Sequence, residues 1–191
     1  MLGDSLFAVN RTINQSVGDQ LERQLGEQVI DRSVLGAPFL SDDGKTGIQG
    51  QYFAGNWDWV VINGFGNDVL FGCGCGSCDS VLNRLISRDG TQGQIPDFVA
   101  RVRASGARVI YSGYLRTPGF RAPIESCGPI GFDMDRRLAA MAARDPGVVY
   151  LSMANVVPSG DSSYHAFDVI HPSAKGSGAI ATRIAAVIKA N

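Results

Sequence analysis

Three clusters of polar side chains in this sequence have the types that acyl transfer requires. Ser5 follows Met1-Leu2-Gly3-Asp4, where two apolar residues run into a glycine turn and leave a hydroxyl at the mouth of the next segment. A serine hydroxyl is a poor nucleophile until a base takes its proton. The chain has only two histidines, His165 and His171. His171 stands three residues after Asp168 and directly before Pro172, so an acid in the same turn can hold the imidazole tautomer and stabilise the imidazolium. His165 lacks that placement and reads as loop structure or pocket rim. Donors for a developing oxyanion are the Asn67 side-chain amide and the backbone N–H groups of Gly36 and Ser5. Each feature also has an ordinary use. Gly3-Asp4-Ser5 and Gly36 suit plain turns, Asn67-Asp68 suits a helix cap, and a histidine at a helix start serves structural hydrogen bonds.

The elements between these clusters decide whether they can meet. Met1 and Leu2 read as the end of a first strand. Val17, Leu21 and Leu25 then recur at helical spacing over residues 16–25, with Ser16 as cap and Gly26 as stop. Residues 28–34 read as a second strand running to Gly36, 41–45 as a loop and 48–53 as a weak helical segment. Residues 57–63, rich in aromatic and β-branched side chains, predict a third strand that ends in Gly64-Phe65-Gly66-Asn67-Asp68. A cysteine- and glycine-rich loop leads to a helix bearing Val81, Leu82, Leu85 and Ile86, and a further helix spans 95–104. A fourth strand covers 107–112. A long irregular loop with Pro118, Pro123 and Pro129 fills 113–131, and loops of that length are often functional. A helix over 132–143, a fifth strand over 147–151, a loop over 157–164 and a last helix from Pro172 or Ser173 complete the chain.

Alternating strands and helices predict a parallel sheet covered on both faces, as one domain over residues 1–191. In such a sheet the turns after strands one, three and five gather at the carboxyl edge, so Ser5, Asn67 and the Asp168–His171 pair can converge there. A central strand runs about five or six residues, yet only Met1 and Leu2 precede the first turn. Residues ahead of Met1 are therefore expected to complete strand one.

Composition narrows the partners. The 17 basic and 18 acidic residues nearly cancel and form no basic run, so nucleic acid is not an expected partner. No apolar stretch is long enough to span a bilayer. The first turn lacks the Ser/Thr/Gly run that would cradle a flavin phosphate.

With these clusters in place, the sequence resembles the GDSL, or SGNH, hydrolases over almost its full length. Gly3-Asp4-Ser5-Leu6 matches the first block, Gly36 the second, Gly66-Asn67-Asp68 the third, and Asp168-Val169-Ile170-His171-Pro172 the last, in the family's order. The resemblance implies a three-layer α/β/α flavodoxin-like fold with a five-stranded parallel sheet of order 2-1-3-4-5. It implies Ser5 as nucleophile, His171 as base and Asp168 as the orienting acid, with Ser5, Gly36 and Asn67 as the oxyanion hole. It implies hydrolysis of esters or thioesters through an acyl-enzyme, with no metal and no cofactor, on a small-molecule ester substrate. Two stretches depart from the pattern: Phe7-Ala8-Val9-Asn10 replaces the small, glycine-containing run many members have there, and residues 69–78 map onto no general block. The alternative is a non-catalytic module that binds a carbohydrate or acyl group at the same edge; intact Ser5, Asn67, Asp168 and His171 argue against it.

Cys73, Cys75, Cys78 and Cys127 allow two disulfides, in any of three pairings, or a metal site, since Cys75 and Cys78 have a zinc-ligand spacing. Disulfides are preferred because they would pin two long loops, and they would put the protein in the periplasm or outside the cell. Phe7, Phe65 and Tyr114, with Phe71, Phe120 and Phe167, are candidates for an apolar acyl pocket or for ordinary packing. Arg116 and Arg121 are candidates to meet an anionic substrate or are simply solvated.

Overall fold

The computed structural model describes residues 1–40, 47–119 and 122–191. The loop expected over 41–45 falls outside them, as do Phe120 and Arg121. Three strands, β1 (Trp59–Asn63), β2 (Arg108–Ser112) and β3 (Val148–Leu151), form a parallel sheet in that order. Seven α-helices surround it among the described residues: α1 (Ser5–Ala8), α2 (Val17–Leu25), α3 (Gly66–Cys73), α4 (Asp79–Leu85), α5 (Gln94–Arg103), α6 (Gly128–Ala142) and α7 (Ala174–Lys189).

The five-stranded expectation is corrected to three assigned strands, although the expected order is kept in the hydrogen bonds. Leu2 makes a single parallel bridge to Ile62, with Leu2 N–H donating to the Val61 carbonyl and Asn63 N–H to that of Leu2. On its other side the stretch over 30–34 lies alongside: Arg32 N–H donates to Met1 O at 2.9 Å and Val34 N–H to Gly3 O at 3.0 Å. Segments one and two thus extend the sheet beside β1 in the order 2-1-3-4-5. Segment one supplies one bridge and segment two none, so neither builds the ladder that defines a strand.

Alternation along the central strands separates two cores. Val60 and Ile62 of β1 and Val109 and Tyr111 of β2 pack with residues of α3, α4, α5 and α6. Val61 and Ile110 pack on the opposite face with Leu6, Phe7, Leu21, Ile180 and Ile184 of α1, α2 and α7. This period of two, buried on both faces, is what a parallel sheet between helix layers requires, and it gives the three-layer α/β/α flavodoxin-like architecture.

Local chemistry sets the helix ends. Ser16 and Asp19 form a reciprocal capping box at the start of α2, and Gly26, with φ +72°, closes it. Ser173 caps α7 through the Gly176 N–H. Two short helices were not expected: α1 starts at Ser5 itself, and α3 occupies part of the cysteine-rich stretch read as loop. The loop expected over 113–131 is shorter, because α6 begins at Gly128.

Candidate active site

Ser5 is the first residue of α1, and Asp4 caps that helix, its Oδ1 accepting from Leu6 N–H at 2.9 Å. The turn after β1 carries Gly66 and Asn67 into the first turn of α3. Gly64 and Phe65 have φ of +151° and +153°; a Cβ on Gly64 would also lie 2.1 Å from Ile48 Cδ1, so that φ and the crowding favour glycine at position 64.

The second and third blocks are tied together directly. Asn67 Nδ2 donates to the Ala37 carbonyl at 3.1 Å. The Asp68 carboxylate accepts from Phe39 N–H at 2.8 Å and Leu40 N–H at 2.7 Å. Burial raises the Asp68 carboxyl above its ordinary range even against those two amides. Gly36 sits in the same turn with φ +73° and is exposed, with open space where a side chain would project. Approach to its N–H is blocked by no side chain of its own.

Asp168 and His171 form a compact acid–base turn. His171 Nδ1 lies 2.6 Å from Asp168 Oδ2, and Asp168 Oδ1 accepts from the Ile170 and His171 amides at 3.0 Å each. Partial burial works to raise the Asp168 carboxyl, but the His171 ring and the two amides outweigh it and hold it below the usual carboxylate range. An ionised carboxylate only accepts, so Nδ1 carries the proton and Nε2 is left as the basic nitrogen. Val169 holds this turn at φ +58°, a strained conformation for a β-branched residue. Ala166 N–H donating to His171 O and Ser173 N–H to Tyr164 O brace it from both sides.

Asn10, whose sequence context reads only as polar loop, joins this turn to the segment that bears Ser5. It adopts φ +66°, and its Nδ2 donates to Pro172 O at 3.0 Å and Ser177 Oγ at 3.1 Å. Its one signal was residue type, since asparagine tolerates the left-handed region. Among the described residues no hydrogen bond joins Ser5 Oγ to the His171 ring; catalytic hydrogen bonds are often long before substrate binds.

The aromatic candidates are placed otherwise than a pocket wall. Phe7 is fully buried in the core beneath α1, and Phe65 is buried with its ring 4.7 Å from that of Tyr114. Tyr114 is half-buried, with its hydroxyl bonded to Asp4 and to Gly66 N–H. Phe71 and Phe167 are exposed, Phe167 almost completely. Arg116 is spent on Asp135 and on the Phe132 ring. His165 is buried, as loop structure, and burial lowers its tendency to protonate. All four cysteines are paired, Cys73 with Cys78 and Cys75 with Cys127, which leaves no thiolate for zinc. A cavity of about 270 Å³ lies at the opposite end of the sheet, lined by Met1, Val29, Tyr52, Trp57 and Trp59 among others, and none of Ser5, Asp168 or His171 borders it.

Comparison with known proteins identifies the family and the fold. The sequence model of the GDSL-like lipase/acylhydrolase family matches residues 1–179. No curated protein matches the chain in sequence. Among solved structures, a protein assigned to the SGNH hydrolases from Slackia heliotrinireducens superposes with a TM-score of 0.63 at 23% identity, covering 98% of this chain and 96% of that one. A protein assigned to the G-D-S-L lipolytic family from Desulfitobacterium hafniense gives 0.69 at 12% identity, over 97% and 96% of the two chains. A carbohydrate acetylesterase from Sinorhizobium meliloti gives 0.65 at 16% identity, over 99% and 96%.

Proposed function

The chain belongs to the GDSL-like lipase/acylhydrolase family, and we propose that it hydrolyses carboxylic esters through an acyl-enzyme on Ser5. The observation that carries this reading is the Asp168–His171 pair, closed at 2.6 Å, at the same sheet edge from which Ser5 and Asn67 emerge. Ser5 Oγ attacks the substrate carbonyl while His171 Nε2 takes its proton. The tetrahedral oxyanion is met by the N–H groups of Ser5 and Gly36 and by Asn67 Nδ2, whose second hydrogen is not needed by Ala37. Collapse expels the alcohol, which takes the proton back from His171. Water then repeats the sequence on the acyl-enzyme and releases the acid. No metal or cofactor is used in these steps. The two disulfides fit an oxidising compartment, periplasmic or extracellular.

The test is turnover of an activated short-chain ester such as p-nitrophenyl acetate. Ser5→Ala is expected to lower kcat by about a million-fold, with an unchanged far-UV circular dichroism spectrum. A fully active Ser5→Ala protein would refute the assignment. Failure of the wild type to turn over acetyl, longer acyl and thioester substrates alike would favour the binding-module alternative.

A further inference from the structure

Two residues past the end of β2, Tyr114 makes contacts that a substrate wall does not need. Its hydroxyl donates to Asp4 Oδ2 and accepts from Gly66 N–H at 2.9 Å. Its ring stands edge-on to Phe65. A Cβ on Gly66 would come within 3.0 Å of the Tyr114 ring carbon and hydroxyl, so the glycine of the third block is small because this tyrosine lies against it. The other Asp4 oxygen holds Leu6 N–H. One continuous chain of hydrogen bonds therefore runs from the start of α1, which bears Ser5, through Asp4 and Tyr114 to the start of α3, which bears Asn67.

We propose that Tyr114 is a positioning residue of the active site, whose hydroxyl locks the nucleophile turn at Asp4 to the oxyanion-hole helix at Gly66. The proposal rests on the Ser5 reading above. The nucleophile and an oxyanion donor sit on different elements and must keep a fixed separation, and misplacement by about 1 Å costs up to about 100-fold in rate. The hydroxyl also sets the charge behind Ser5. Asp4 is almost fully buried, and burial pushes its carboxyl up to about 6, while the Tyr114 bond and the Leu6 amide pull it down. The other ionisable groups facing it are Asp68, whose like charge raises it, His171, whose charge lowers it, and Tyr111. Without the tyrosine O–H, Asp4 keeps its proton to higher pH.

The experiment is Tyr114→Phe, which retains the ring on Phe65, assayed with p-nitrophenyl acetate across pH 4.5 to 9 beside the wild type and Ser5→Ala. The expected result is a kcat lower by about 10- to 100-fold, a KM little changed, and an acidic limb of the kcat profile moved to higher pH. Unchanged kcat overturns the proposal. So does a kcat loss with the limb unmoved, which is a merely structural effect, or a raised KM at constant kcat, which is a substrate contact. Asp4→Asn is the second variant, for the case in which Tyr114→Phe does not fold. Its amide still suits the α1 cap but offers one acceptor where the carboxylate offers two. A comparable kcat loss in that variant sustains the proposal, and full kcat overturns it. An active Ser5→Ala protein sinks the underlying reading instead, so the two failures are distinguishable.

Discussion

Asp4 illustrates what a single buried carboxyl does to a molecule beyond its site. Its carboxyl is raised from 3.8 to about 6, chiefly by burial. Between those values the folded chain holds a proton that the unfolded chain has released, so stability attributable to Asp4 is fully present below about pH 4 and is lost as pH rises through about 6. Raising the carboxyl from 3.8 to about 6 corresponds to on the order of 3 kcal/mol. The stability of Asp4→Asn relative to the wild type is therefore expected to improve by on the order of 3 kcal/mol between pH 4 and pH 7, read from urea unfolding at each pH. A difference independent of pH would show that Asp4 does not titrate in this window. Taking the difference between the two proteins cancels the contributions of acids remote from Asp4. At this scale the sequence displayed the proposed reacting groups and hid their supports. Ser5, Asp168 and His171 stand out because hydroxyl, carboxylate and imidazole are recognisable chemistry. Tyr114 read as an aromatic beside a pocket, because its hydroxyl partners lie 110 and 48 residues away.

Elements with a strong local signal were legible, and those defined by their neighbours were not. The capping box and apolar spacing of α2, and the β-branched runs of β1 and β2, carry their own instructions. Residues 30–34 are extended and alternate with Met1 and Gly3 in hydrogen bonds, but whether that makes a strand depends on the partner. The short α1 and the glycine-rich α3 have too few apolar positions to show a helical period. The inward apolar face of α7, with Ile180, Ile184, Val187 and Ile188, was legible, but the seating of its first turn was not, and that seating bears on the Asp168–His171 turn. A Cβ on Gly176 would lie 2.1 Å from the Tyr164 carbonyl, which itself accepts the Ser173 N–H bracing His171. A backbone atom cannot swing aside as a side chain can. Gly176→Ala is therefore expected to destabilise by about 1–3 kcal/mol, as overpacking does, despite the better helix propensity of alanine. It should also lower kcat by displacing the Asp168–His171 turn. Thermal melting and ester turnover check both effects, and a variant as stable and active as the wild type would mean that α7 is not seated against that loop.

At the scale of the whole molecule, the open question left by the sequence was which cysteines pair, and the answer makes the two bridges unequal. Cys73–Cys78 closes five residues from the last residue of α3 to the start of α4, whereas Cys75–Cys127 closes 52 and crosses from the end of α3 to the segment leading into α6. The longer bridge encloses β1's neighbour β2, all of α4 and α5, and the stretch bearing Tyr114. Chain entropy makes the stabilisation grow with the logarithm of the loop, giving about 4 kcal/mol for the long bridge against about 2 for the short one. The long bridge bears on the proposed catalytic edge for a second reason: α3 carries Asn67, the proposed oxyanion donor, in its first turn and ends beside Cys75, so the bridge ties that helix to the segment leading into α6. Replacing Cys75 and Cys127 by serine is expected to cost about twice the unfolding free energy lost when Cys73 and Cys78 are replaced, measured by urea unfolding without reductant. The Cys75/Cys127 variant should also lose more ester turnover. Equal losses from the two pairs would show that both loops are already fixed by packing, with the covalent links adding only local restraint.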